Sequence, residues 1–122
     1  MATASNLAPF YRGDTKSFNL TFRDANGDPI DLSGHELWFT MKREIGDADD
    51  AAVLQKRIVF LPNAESAAGN GVLILDSSET SAIDPGTYYF DMQKVIPENP
   101  PLVTTLMSGR VSVLPDVTQR VS

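Results

Sequence analysis

Few residues in this chain could do covalent or acid–base chemistry. There is one histidine, His35, and no cysteine. Without thiols there is no disulfide, no thiolate ligand and no cysteine nucleophile. His35 stands at a turn-to-strand boundary with no Ser-His-Asp pattern around it, so a nucleophile would lack both a base and a group to orient that base. The sequence places it on the surface. Carboxylates are plentiful but gather in turns. Asp24-Ala25-Asn26-Gly27-Asp28 has the acidity of a calcium loop. An EF-hand loop needs Gly at its sixth position and a bidentate Glu at its twelfth. Counted from Asp24, Gly27 is fourth and His35 is twelfth, so the segment is a tight Asn-Gly turn. Asp47, Asp49 and Asp50 lie in a polar connection where a run of charge is simply solvated. A carboxylate pair for glycoside hydrolysis has no better candidate, since each Asp-rich segment is also a turn. Arg12-Gly13-Asp14 matches the integrin-binding tripeptide. That signal needs an exposed loop tip, and here the triplet sits between aromatic residues and a strand, where Gly13-Asp14 makes a turn or bulge. No catalytic, cofactor-binding or metal-binding residue is assigned, and no enzyme activity is expected.

What the chain must position is therefore contact surface. Ile83-Asp84-Pro85-Gly86-Thr87-Tyr88-Tyr89-Phe90-Asp91-Met92 is a turn running into an alternating strand. Tyr88, Phe90 and Met92 point one way, and Thr87, Tyr89 and Asp91 the other. A tyrosine just past a Pro-Gly turn at the start of a late strand is the pattern of a tyrosine corner, with the ring buried and the hydroxyl bonded back to backbone. Ile83, Pro85, Gly86 and Tyr88 are assigned to it.

Ser17 to Arg23 alternates with Phe18, Leu20 and Phe22 on one side. Glu36 to Lys42 alternates with Leu37, Phe39 and Met41 on one side. That phase puts Trp38, the one tryptophan, off the core face, where it covers a sheet edge or meets another chain. A bulge that shifted the phase would bury it instead. Val53 to Leu61 is a further apolar segment of ambiguous phase. Gly71-Val72-Leu73-Ile74-Leu75-Asp76 is continuously apolar, so both faces are covered or the outer one meets a partner. Ser77 to Ala82 reads as one helical turn capped by Ser77 or Ser78. Pro97, Pro100 and Pro101 keep the next loop out of any ladder. Leu102 to Leu114 completes the last hairpin, with a bulge expected at Ser108-Gly109. Trp38, Leu73, Leu75 and Tyr89 are the candidate interface residues.

The chain has 122 residues and a net charge of −6. That length fits one domain with a core large enough to need no staple. The acidity opposes binding to a phosphate backbone. Neither a signal peptide nor a membrane span is legible. About seven strands with frequent turns predict an all-β, immunoglobulin-like antiparallel β-sandwich without a disulfide. The expected layout is a flexible arm at 1–9, the sandwich at 10–118 and a tail at 119–122.

The order Tyr11-Arg12-Gly13-Asp14-Thr15, Asp24-Ala25-Asn26-Gly27-Asp28-Pro29-Ile30-Asp31-Leu32-Ser33-Gly34, and Leu37-Trp38-Phe39-Thr40-Met41-Lys42 continues with Ile83 to Gln93. Ser108-Gly109-Arg110-Val111-Ser112-Val113 and Pro115-Asp116-Val117-Thr118 close it. Together these stretches resemble small proteins encoded among tailed-bacteriophage structural genes. They are similar also to the immunoglobulin-like N-terminal domain of phage baseplate upper proteins, over Phe10 to Thr118. The resemblance implies a non-enzymatic virion component of tail, baseplate, neck or head, made in the host cytoplasm and acting alone or beside further segments. Its implied partners are other virion proteins and further copies of itself, with no nucleic acid and no membrane. The alternative is a tail-tip or surface module that recognises host carbohydrate or protein.

Overall fold

The computed structural model describes residues 3–4, 7–48 and 51–117. Its strands are β1 (Thr3–Ala4), β2 (Phe10–Tyr11), β3 (Lys16–Thr21), β4 (Glu36–Lys42), β5 (Leu54–Val59), β6 (Asn70–Leu75), β7 (Gly86–Ile96) and β8 (Leu102–Leu114). Two short helices, α1 (Ala64–Ala67) and α2 (Ser77–Ser81), flank β6. The large sheet runs β1-β8-β7-β4-β5, with β2 also on β8; β3 and β6 form a two-stranded sheet. The chain is an all-β, immunoglobulin-like sandwich. Its pairing is not purely antiparallel, because β1 and β2 both run parallel to β8. Antiparallel neighbours come from hairpins, whereas these strands reach β8 from the far end of the sequence, and strand alternation carries no information about direction. Thr3–Ala4 and the Leu7 amide, which donates to the Arg110 carbonyl at 3.1 Å, lay part of the expected arm along β8. The expected tail, 119–122, lies outside the described residues.

Alternation dictates the core. Phe18, Leu20, Leu73 and Leu75 from the small sheet face Leu37, Phe39, Met41, Tyr88, Phe90, Met92, Val111 and Val113 from the large one. Phe10, Leu32, Phe60 and Ile83 complete the buried cluster. Phe39 and Phe90 pack tilted at 5.9 Å, and Phe10 meets Phe18 edge-on at 6.4 Å. At the mouth of the small sheet the Phe22 amide donates to the Gly69 carbonyl at 2.9 Å. Gly69 has φ +78°, and a Cβ there would lie 2.5 Å from the Phe22 carbonyl oxygen, so only glycine fits this close approach.

Three expectations are corrected. Leu73 and Leu75 are not interface residues: both are fully buried, while Val72 and Ile74 remain 47% and 49% exposed. Leu73 sits opposite Phe18 in the β3–β6 ladder, and residues directly opposite share a face. The bulge is not at Ser108-Gly109. Met92 pairs with Met107 and Gln93 with Thr105, so Leu106 is the extra residue, and it drops into the core. The α2 cap is Asp76, not Ser77 or Ser78. Asp76 accepts from the Glu79 amide at 2.9 Å and Glu79 accepts from the Asp76 amide at 3.0 Å, a reciprocal capping box.

Candidate recognition groove

The ladders of the large sheet stack its outward side chains in rows. Val59, Glu36, Val95 and Val103 make one row across β5, β4, β7 and β8; Arg57, Trp38, Gln93 and Thr105 make the next. Gln55, Thr40, Asp91 and Ser108 follow, and then Lys42, Tyr89 and Arg110. Sheet twist makes this face concave. It forms an open groove of about 1150 Å³ lined by Trp38, Thr40, Lys42, Ile45, Gln55, Tyr89, Asp91, Gln93, Val95, Ser108 and Arg110, with backbone of Phe90 and Gly109 at the floor. Small-molecule pockets span roughly 300–1,000 Å³, and this groove lies above that range.

The structure brings two of the four candidate interface residues together here. Trp38 and Tyr89 are half-buried on this face, two rows apart, a distance of roughly 13 Å along the strands. The Trp38 indole N–H donates to Glu36 Oε1 at 3.1 Å, and Arg57 Nη2 donates to Glu36 Oε2 at 2.6 Å. These bonds hold the Glu36 carboxyl below its ordinary value, Arg57 contributing most and Trp38 next. With its one polar atom engaged, the indole presents an apolar surface to the groove. At the far end the Arg110 guanidinium lies 5.3 Å from the Tyr89 ring centroid, a cation–π contact. Between them Gln55 Nε2 donates to Thr40 Oγ1 at 3.2 Å, and Lys42 Nζ donates to the Asp47 carbonyl at 2.8 Å.

Sequence alone did not pick out Arg110, Asp91, Gln55 and Gln93. Alternation on β7 put Asp91 on the outer side beside Tyr89. Nothing in the β8 sequence ties Arg110 to Tyr89; the ladder does.

The tyrosine-corner residues lie at the other side of β7. The Tyr88 ring is buried, and its hydroxyl donates to the Asp84 carbonyl. Ile83 is fully buried beside it, its amide donating to the Thr80 carbonyl at 3.1 Å, and Pro85-Gly86 carries the chain into the strand. Arg43 lies over the outer side of the Tyr88 ring at 5.6 Å and reaches Asp84 at 3.3 Å.

The other chemical candidates are used up locally. Asp24 Oδ1 accepts from the Asn26 and Asp28 amides at 2.9 and 3.0 Å, closing a turn. Arg12 lies 3.6 Å from Asp116, and the Asp14 amide closes a turn on Tyr11, so the Arg-Gly-Asp triplet does not project as a tip. Asp49 and Asp50 fall outside the described residues. Among the described residues no three His, Cys, Asp or Glu side chains converge. His35 departs from the expected surface placement: it is half-buried, and its Nδ1 is enclosed without a hydrogen-bond partner among the described residues. Its backbone explains the placement, since it donates to Leu32 and accepts from Phe60 where β4 and β5 begin to pair.

No protein-family model matches this chain, and no curated protein matches it.

Proposed function

We propose that this protein is a non-enzymatic structural component of a tailed-bacteriophage virion, working through protein–protein contacts made on the outer face of its large sheet. The observation that carries the reading is the gathering of Trp38, Tyr89 and Arg110 in one open groove. Trp, Tyr and Arg are the residue types that dominate binding energy at protein interfaces, each combining a large rigid contact area with a polar handle. The groove is too broad for a small ligand to fill and has the breadth for a protein surface. The resemblance of Phe10 to Thr118 to phage structural proteins supplies the setting, with other virion proteins as partners and the assembled particle as the site of action. Among the described residues, no helix is long and apolar enough to cross a membrane.

A second reading, a surface module for host carbohydrate, is favoured by the middle of the groove. There Thr40, Gln55, Gln93 and Ser108 offer neutral hydrogen-bonding groups between two aromatic side chains. One experiment separates the two. Phage particles are grown with Trp38→Ala or Tyr89→Ala as their sole source of this chain. The assembly reading expects particles that lack the chain or fail to form. Intact particles with reduced adsorption would put the carbohydrate reading in its place, and intact particles with normal adsorption would remove the groove from both.

A further inference from the structure

The outer edge of β8 is only partly covered. β1 pairs with Met107 and Ser108, the Leu7 amide with Arg110, and β2 with Val113 and Leu114. Among the described residues no strand pairs with that side of Leu102–Leu106. Natural sheets blunt such edges with charge, most often lysine. The other free edges here are blunted: β5 carries Lys56 and Arg57, β3 begins at Lys16, and on β6 the Ile74 carbonyl accepts from Lys56 Nζ. Leu102-Val103-Thr104-Thr105-Leu106 has no charge, proline or glycine in a chain of net charge −6. Leu102 and Val103 are each 53% exposed. An uncharged, β-branched edge with exposed aliphatic side chains is a template for strand addition.

We propose that a second copy of this chain pairs here, β8 against β8 and antiparallel, joining two large sheets into one. The occupant follows from the edge itself. β1 and β2 already extend the ladder along this line, so the pairing continues an existing interface. A five-residue strand paired antiparallel about its centre is self-complementary, as a two-fold contact requires. Thr104 would face its own counterpart across the axis, and Val103 would oppose Thr105 of the second copy. Cross-strand Thr–Thr pairs and β-branched neighbours favour such a ladder, and two uncharged edges avoid the repulsion that the rest of these acidic chains would feel. The dimer would set two grooves side by side on one continuous face.

The test is light scattering of the purified protein over a wide concentration range, comparing the wild type with Thr104→Lys and Trp38→Ala, each checked by circular dichroism for fold. The expected result is a wild-type mass twice the 13.3 kDa of one chain, falling on dilution. Thr104→Lys should raise the dissociation constant at least tenfold, and Trp38→Ala should leave it unchanged. A wild type that stays monomeric throughout overturns the proposal, as does a dimer unaffected by Thr104→Lys. A dimer lost only in Trp38→Ala would move self-association to the groove. Should Thr104→Lys fail to fold, amide exchange of the wild type decides: slowing of Leu102–Leu106 exchange as concentration rises is expected, and exchange independent of concentration rejects the dimer.

Discussion

The Lys56 ammonium, on the outermost strand of the large sheet, donates to Glu79 Oε1 at 2.7 Å and also to the Ile74 carbonyl of the small sheet. Lys56 lies opposite Phe39 in the β4–β5 ladder, so it points to the core side of its sheet and closes the open flank of the sandwich. One side chain thereby ties β5 to β6 and to the first turn of α2, and covers a strand edge that would otherwise present a free acceptor. Replacing Lys56 by Met keeps the stem and removes the charge. The expected cost is about 1 kcal/mol, since the pair is about a quarter exposed and partly screened. Faster amide exchange in Asn70–Leu75 and α2, with the rest of the sheet unchanged, is the signature. Uniform acceleration across the chain would mean that Lys56 acts on global stability alone.

Tyr88→Phe removes the hydroxyl that donates to the Asp84 carbonyl and leaves the ring in place. A buried acceptor then loses its partner, and a loss of roughly 1–2 kcal/mol is expected in denaturant melts. Coincident melts of variant and wild type would show that the corner is held by packing of the ring and Ile83.

Leu73 and Ile74 are neighbours on β6 with opposite fates. Leu73→Ala empties space inside the core and is expected to cost about 2–5 kcal/mol. Ile74→Ser changes a half-exposed side chain on the outer face, and a loss of no more than about 1 kcal/mol is expected. Thermal melts of the two variants, run side by side, check the β3–β6 register: equal losses would contradict it.

Stability should fall in acid. Glu36 is held below its ordinary 4.5 chiefly by Arg57, Asp76 below 3.8 chiefly by the Ser78 hydroxyl, and Asp31 below 3.8 chiefly by Ser33. A carboxyl lowered by folding contributes fully above its unfolded value, and the contribution drains away as pH falls through the folded one. The loss should therefore begin near pH 4.5 and deepen below 3.8. Glu36→Gln should flatten the upper part of that fall in melts run from pH 6 to 2, and an unchanged slope would show that the Arg57 pair contributes nothing to the folded state.

Much of the fold was legible in the sequence because strand alternation is local. Phe18 and Leu20, Leu37, Phe39 and Met41, and Tyr88, Phe90 and Met92 declare their buried face by spacing alone, and the outward phase of Trp38 and Tyr89 follows from the same period of two. The turn ahead of Tyr88 likewise carries its chemistry in adjacent residues. Where the local signal is uniform, the sequence has no phase to offer. In Val72-Leu73-Ile74-Leu75 every side chain is apolar, and only the pairing of Leu73 with Phe18 decides which two are buried. Register also decides what no single strand encodes: the meeting of Tyr89 with Arg110, the bulge at Leu106, the parallel run of β1 and β2 along β8, and the reach of Lys56 to Glu79. Side-chain period is written into each strand. Which strands lie side by side, and how far each slides along its neighbour, is settled by burying all the apolar faces at once.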